Sequence, residues 1–213
     1  MPTLLLLVRH ALTDTAGKRL TGWHRGVHLN DRGREQAGRL AERLAPLPIR
    51  AVYSSTLERC IETAEPLAAE KGLDVHALES LREVNYGAWS GRSIAGLRRT
   101  KLWSRLGTAP ADARFPRGET LREVQNRMVS EISQIVDRHP RSMVAVFSHA
   151  DPIKLVLAHY LGVHIDLFTR IVCSPGSVSA VVAGEGPPHV LKVNDTGDLA
   201  DLGPPRPAKR GGR

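Results

Sequence analysis

Only two cysteines, Cys60 and Cys173, occur in 213 residues, each inside an apolar stretch with no second Cys or His at metal-ligand spacing. That scarcity excludes a disulfide framework and a zinc site, and it predicts two reduced core thiols. Long hydrophobic runs are missing as well. The run "TLLLLV" near the start is far shorter than the roughly 20 apolar residues that a spanning helix needs. It also lacks the basic flank and small-residue cleavage site of a secretory signal. These absences predict a soluble, cytoplasmic chain with no membrane partner. Neither a repeat at fixed period nor a linker interrupts the body. At 41% hydrophobic the length suits one well-buried domain, over residues 1–200, with room for a small cap.

The formal net charge of +8 invites a polyanion as partner. Four of the positive charges (Arg206, Lys209, Arg210, Arg213) nevertheless fall in the closing "LGPPRPAKRGGR". This segment is rich in Pro and Gly and nearly free of apolar side chains, so it cannot offset its ordering entropy. Residues 201–213 are therefore expected to be a disordered, solvated basic tail, and a nucleic-acid function is not favoured.

Within the body, strand and helix patterns alternate. "TLLLLV" is apolar on both faces and reads as a central strand. Asn30 caps a helix whose Ala37, Leu40, Ala41 and Leu44 keep one apolar stripe, with Asp31 well placed in the first turn. "IRAVYSS" predicts a second strand. The next helix carries Leu57, Cys60, Ile61, Ala64, Leu67 and Ala68, and Pro66 is expected to kink it or end its regular part. "GLDVHAL" predicts a third strand, followed by a loop with "LREVNYGAWSG". Residues 92–118 mix aromatic, basic and turn residues and form the expected cap. A long helix then runs from "GETLREV" to Pro140. "SMVAVFSH" is another buried strand, and "DPIKLVLAHYLG" a helix closed by Gly162. "SVSAVVAG" and "HVLKVN" predict a late hairpin that adds antiparallel character at a sheet edge. The order implies an α/β fold: a three-layer αβα sandwich with a largely parallel central sheet.

In such sheets ligands bind where strand C-termini meet helix N-termini. "VRH" and "FSH" both end there, so His10 and His149 can meet although they are far apart in sequence. Arg9, and Arg59 near the start of a helix, would join them. Guanidinium forks match phosphate oxygens, and a helix-start amide such as that of Ala150 adds a donor. A phosphate group is the natural guest.

The stretches "LVRHALTD", "VYSSTLERCIETA", "LREVNYGAWSG", "GETLREV" and "VFSHADPIK" together resemble the histidine phosphatase superfamily (branch 1), in its phosphoglycerate mutase-like family, over residues 3–195. The resemblance implies a phosphoglycerate mutase-like fold. It makes His10 the nucleophile that becomes a phosphohistidine, with Arg9, Arg59 and His149 holding the phosphoryl oxygens. Glu83 would protonate the leaving oxygen. Thr13, Thr21 and Gly22 fit the family's phosphate-side loop as secondary contacts. Elementary chemistry agrees: a nucleophilic imidazole must be neutral, and neighbouring arginines disfavour its protonation. A general acid must instead hold its proton, and burial and nearby arginines pull the Glu83 pKa in opposite directions. No metal or other cofactor is expected.

This chain departs from the family pattern at Ala11, where glycine is usual; if that position needs positive φ, alanine strains the loop. Ala16 stands where the mutases have an asparagine. Asn85 in "VNYGAWSG" replaces a mutase histidine, and the cap is short. The expected activity is hydrolysis of small organic phosphate monoesters. Phosphoglycerate mutase-type transfer is the alternative, and a degenerate module that binds phospho-ligands without turnover is a third reading. The cap residues Trp89, Arg98, Arg99, Lys101, Trp103, Arg105, Arg114 and Arg117 could bind more negative charge or an aromatic leaving group, or could equally form an amphipathic helix with a solvated basic side. The sequence leaves a homodimer open.

Overall fold

A computed structural model describes residues 2–197. The expected basic tail, residues 201–213, lies outside the described residues. In chain order the elements are β1 (Thr3–Arg9), α1 (Asp31–Leu44), β2 (Ile49–Ser55), α2 (Glu58–Lys71), β3 (Val75–Leu78), α3 (Ile94–Leu97), α4 (Lys101–Thr108), α5 (Leu121–Arg138), β4 (Met143–Ser148), α6 (Ala150–Tyr160), β5 (Val178–Ala183) and β6 (His189–Asp195). The six strands form one sheet in the order β3-β2-β4-β1-β5-β6. β3, β2, β4 and β1 run parallel, whereas β5 is antiparallel to both β1 and β6. This is the mixed α/β architecture that the alternating pattern implies, with the late hairpin at one edge.

Both faces of the sheet are covered, and the period of two along each strand divides the core accordingly. On β1, Leu5 and Leu7 enter one apolar cluster while Leu6 and Val8 enter the other; Val144 and Val146 of β4 oppose Ala145 and Phe147 in the same way. The first cluster is completed by α5, α6 and the cap, the second by α1 and α2. A continuous apolar run is thus the signature of a strand with no solvent face.

Helix boundaries follow local chemistry. The Asn30 side chain accepts from the Gly33 amide at 2.8 Å and starts α1. Thr120 and Glu123 make a reciprocal capping box that starts α5. Gly162 and Val163 donate back to His159 and Ala158 and close α6 in the Schellman manner, as the position of Gly162 predicts. In α2 the expectation that Pro66 ends the regular part fails: the helix continues to Lys71. Leu67 and Ala68, immediately beyond the proline, are buried in the second cluster, and Gly72 at φ +62° provides a stop one turn later. Burial there offsets the missing hydrogen bond, which costs about 3 kcal/mol in an exposed helix.

The expected cap contains two short helices, α3 and α4. Leu97, Ala111 and Phe115 are buried in the first cluster, with Leu102, Trp103 and Leu106 packed against it. Lys101 and Arg105 of α4 face solvent, as do Arg98, Arg99, Arg114 and Arg117. In α4 itself, Lys101 and Arg105 form the solvated basic side of an amphipathic helix, whereas Arg98, Arg99, Arg114 and Arg117 lie outside that helix. No described helix is long and apolar enough to cross a membrane.

Candidate active site

The register between two adjacent parallel strands creates the site. Arg9 on β1 pairs with Ser148 on β4, so the next residue on each strand is a histidine. The His10 amide donates to the Ser148 carbonyl at 2.9 Å, and the two imidazole centroids lie 5.2 Å apart. Two histidines 139 positions apart in sequence become neighbours because their strands are neighbours.

His10 is 6% exposed. Its Nδ1 lies 2.8 Å from the Ala11 carbonyl oxygen, which can only accept, so Nδ1 carries the proton and Nε2 keeps its lone pair. Burial first, then the charges of Arg59 and Arg9, hold its pKa well below the ordinary histidine value. His149 is fully buried, and its pKa is lowered by burial and by Arg59. Its Nε2 hydrogen-bonds with the Ser55 hydroxyl at 2.9 Å. Both rings are therefore neutral at physiological pH.

Arg59 is the largest fully buried side chain, 1% exposed, on the first turn of α2. Its Nη2 donates to the Gly22 carbonyl at 2.9 Å, while Nε and Nη1 have no hydrogen-bond partner among the described residues. Arg9 donates through Nη1 to the Cys173 carbonyl at 2.6 Å, and its buried Nε is likewise without a partner. Leaving donors of a buried cation unmatched is costly, so such groups ordinarily complete their bonds with an anion. Three unmatched guanidinium donor nitrogens next to two neutral histidines define an anion site with phosphate chemistry.

Glu83 closes the opposite wall. Its backbone carbonyl accepts from Trp23 Nε1 at 2.6 Å and from Arg127 Nη2 at 2.9 Å. Its carboxylate accepts only from the Val84 amide, at 3.0 Å. Burial, followed by the negative charge of Asp151, raises its pKa to about 7 against the opposing pull of Arg59 and Arg9. Burial and Asp151 together outweigh the arginines, so the shift is upward.

His10, Arg9, Thr13, Thr21, Glu83 and Ala150 line one cleft of about 150 Å³. Arg59 and His149, both buried, are not among its lining residues. Gly22 does not line it; at φ +53°, with a Cβ position 2.9 Å from Ser90 Oγ, it turns its carbonyl onto Arg59. Ala11 is absent from the residues of positive φ, so it is unstrained, and its amide donates to Thr63 Oγ1 at 3.0 Å. Thr63 in turn donates to the Arg59 carbonyl at 2.6 Å, tying β1 to α2.

Sequence reasoning missed several participants. Asp151 and Tyr86 line the cleft and are joined by a 3.1 Å hydrogen bond, and Arg19 and Thr15 line it as well. Ser55 could have been found, since "VYSS" ends a strand at the same sheet edge as the two histidines. Among the described residues no group of three or more His, Cys, Asp or Glu is arranged to hold a metal ion.

The family model described as histidine phosphatase superfamily (branch 1) matches residues 5–196. Phosphoserine phosphatase 1 of Hydrogenobacter thermophilus is 30% identical over 203 residues, covering 93% of this chain and 95% of that protein. Phosphoglycerate mutase-like protein 4 of Arabidopsis thaliana is 34% identical over 155 residues, 70% of this chain and 67% of that one. Among solved structures, YhfR of Bacillus stearothermophilus superposes with a TM-score of 0.85 at 29% identity, over 91% of this chain and 97% of that one.

Proposed function

The chain belongs to the histidine phosphatase superfamily (branch 1), and from that membership we propose that it is a histidine-dependent phosphatase that hydrolyses small organic phosphate monoesters through a phosphohistidine on His10. One observation carries the reading: a neutral, tautomer-fixed His10 adjoins the buried guanidinium donors of Arg9 and Arg59 that have no partner among the described residues.

In the first half-reaction His10 Nε2 attacks phosphorus and the ester P–O bond breaks. The electron pair goes to the leaving oxygen, which takes the proton held by Glu83. Arg9, Arg59 and His149 hold the three spectator oxygens, where transition-state charge is spread. In the second half a water attacks the phosphohistidine, Glu83 accepts its proton, and inorganic phosphate leaves with His10 and the protonated acid restored. Several groups acting together suit a reaction whose uncatalysed rate demands accelerations of up to about 10²¹.

Mutase transfer is not favoured. It requires a site for a bisphosphate, and the basic cap residues named above face solvent rather than the cleft. A binding module without turnover has no use for a carboxyl that keeps its proton near neutrality. The fixed guanidinium charges fill the role a metal would play, so a chelator is expected to leave turnover intact. A cytoplasmic location belongs to the same reading, supported by two free, buried cysteines.

The experiment is rapid quenching with a ³²P-labelled ester. Acid-labile, base-stable label should appear on His10 in the wild type, be absent from His10→Ala, and persist with EDTA present. Unlabelled protein during active turnover would sink the covalent mechanism.

A further inference from the structure

Beside the phosphate cleft lies a second cavity of about 210 Å³, and the two share Leu20, Tyr86 and Asp151 as common wall. Beyond that neck the walls are apolar and aromatic: Trp103, Leu106, Phe115, Leu121 and Phe168. Trp103 is held by stacking on the buried Trp89, with ring centroids 6.3 Å apart, and Phe115 packs edge-on against both Tyr86 and Trp89. The cavity is built from a rigid aromatic frame. Its volume matches a single ring-sized body, and its only carboxylate is Asp151, at the neck.

Resting on the phosphatase reading, we propose that this cavity receives the leaving alcohol. Asp151, on the shared wall, selects for esters of a ring-bearing, largely apolar alcohol with no carboxylate on the part that enters the cavity. An ester whose phosphate occupies the first cleft has its alcohol next to the residues that the two cavities share, Leu20, Tyr86 and Asp151. Asp151 meets the alcohol there as an acceptor-only group. Tyr86 donates to its Oδ2 at 3.1 Å, and Lys154 Nζ lies 3.3 Å from Oδ1. Lys154 lines neither cavity, so Asp151 is the charged group on the lining of the second cavity. A carboxylate on the part of the alcohol that enters the second cavity would face Asp151 with no cation on that cavity's lining, since Arg9 and Arg19 line the first cleft only. Like charges so juxtaposed are strongly disfavoured, whereas a hydroxyl or ammonium there gains an acceptor. The inference separates this chain from what its phosphoserine- and phosphoglycerate-named relatives suggest.

The test compares kcat/KM for 2-phenylethyl phosphate with that for 3-phosphoglycerate and phosphoserine. All three release alkyl alcohols, so the demand on Glu83 is similar and cancels in the ratio. The wild type should prefer the phenylethyl ester by about tenfold or more. In Asp151→Asn the ratio should shift toward 3-phosphoglycerate by about tenfold. Leu106→Trp, which fills the cavity, should lower the phenylethyl-to-ethyl phosphate ratio by about tenfold. A wild type that turns over the carboxylated esters as well as or better than the phenylethyl ester overturns the selection but leaves the phosphatase reading standing. So do ratios that neither variant moves. Absence of turnover on all of these esters and on p-nitrophenyl phosphate overturns both.

Discussion

A histidine at the end of a strand has many innocuous explanations, and what distinguishes His10 is the set of groups that fix its proton. The Ala11 carbonyl claims Nδ1, while burial and two arginines keep the ring neutral. Glu83 is the converse, a carboxyl held protonated to about pH 7 chiefly by burial. Because only the protonated acid can donate, kcat/KM for an alkyl ester such as 2-phenylethyl phosphate should fall as pH rises through about 7. The aryl ester p-nitrophenyl phosphate, whose phenolate leaves without a proton, should fall much less over that range. Glu83→Gln should cost the alkyl ester about 10²–10⁴ in rate and the aryl ester far less; equal losses on both would remove the general acid. That Arg9, His10, Arg59, Glu83 and His149 come together was legible in the sequence because each stands in a recognisable motif. Asp151 was not. In the first turn of a helix an aspartate has a sufficient reason to exist in the helix dipole, and only the adjoining cavities reveal another.

At the scale of elements, the long helix α5 was legible from its apolar spacing, but the service it performs for the site was not. Arg127 projects from α5 and donates to the carbonyls of Ser80, Arg82 and Glu83 at 2.8–2.9 Å, with its own charge met by Glu119 at 2.7 Å. It gathers the loop that carries Glu83. Its partners are backbone carbonyls more than 40 residues distant, and a carbonyl has no sequence identity to read. Lysine keeps the charge but not the planar fork. Arg127→Lys is therefore expected to lower kcat for an alkyl ester by about tenfold or more, since small displacements of a catalytic group are expensive. The aryl ester, less dependent on Glu83, should lose little, which distinguishes a misplaced acid from general unfolding. The same blindness to tertiary burial explains Pro66. Local rules count the missing amide, whereas the helix persists because Leu67 and Ala68 beyond it are buried.

Across the whole molecule, the layer order was legible because a doubly covered sheet leaves continuous apolar runs, and the histidines could be paired because both strands end at one rim. The cavities were not, since their walls come from the loop after β1, the weakly patterned cap and the start of α6 together. The site also leaves a mark on global stability. A carboxyl whose native pKa is raised from 4.5 to about 7 binds more protons folded than unfolded between those values. Glu83 therefore subtracts stability as pH rises through that window, by up to about 3 kcal/mol above it. His10 and His149 act oppositely. Their native pKa values lie below 6.5, so the unfolded chain binds more protons, and stability falls as pH drops below 6.5. Two histidines against one carboxyl should give a rise from pH 5 to about 6.5 and a plateau or slight decline beyond. Glu83→Gln removes only the opposing contribution. Urea denaturation at pH 5, 6, 7 and 8 should show the variant gaining on the wild type steadily, with the largest advantage at pH 8. A gap that stays constant with pH would mean that Glu83 is not held protonated by its burial, and the acid in the mechanism would have to be sought elsewhere.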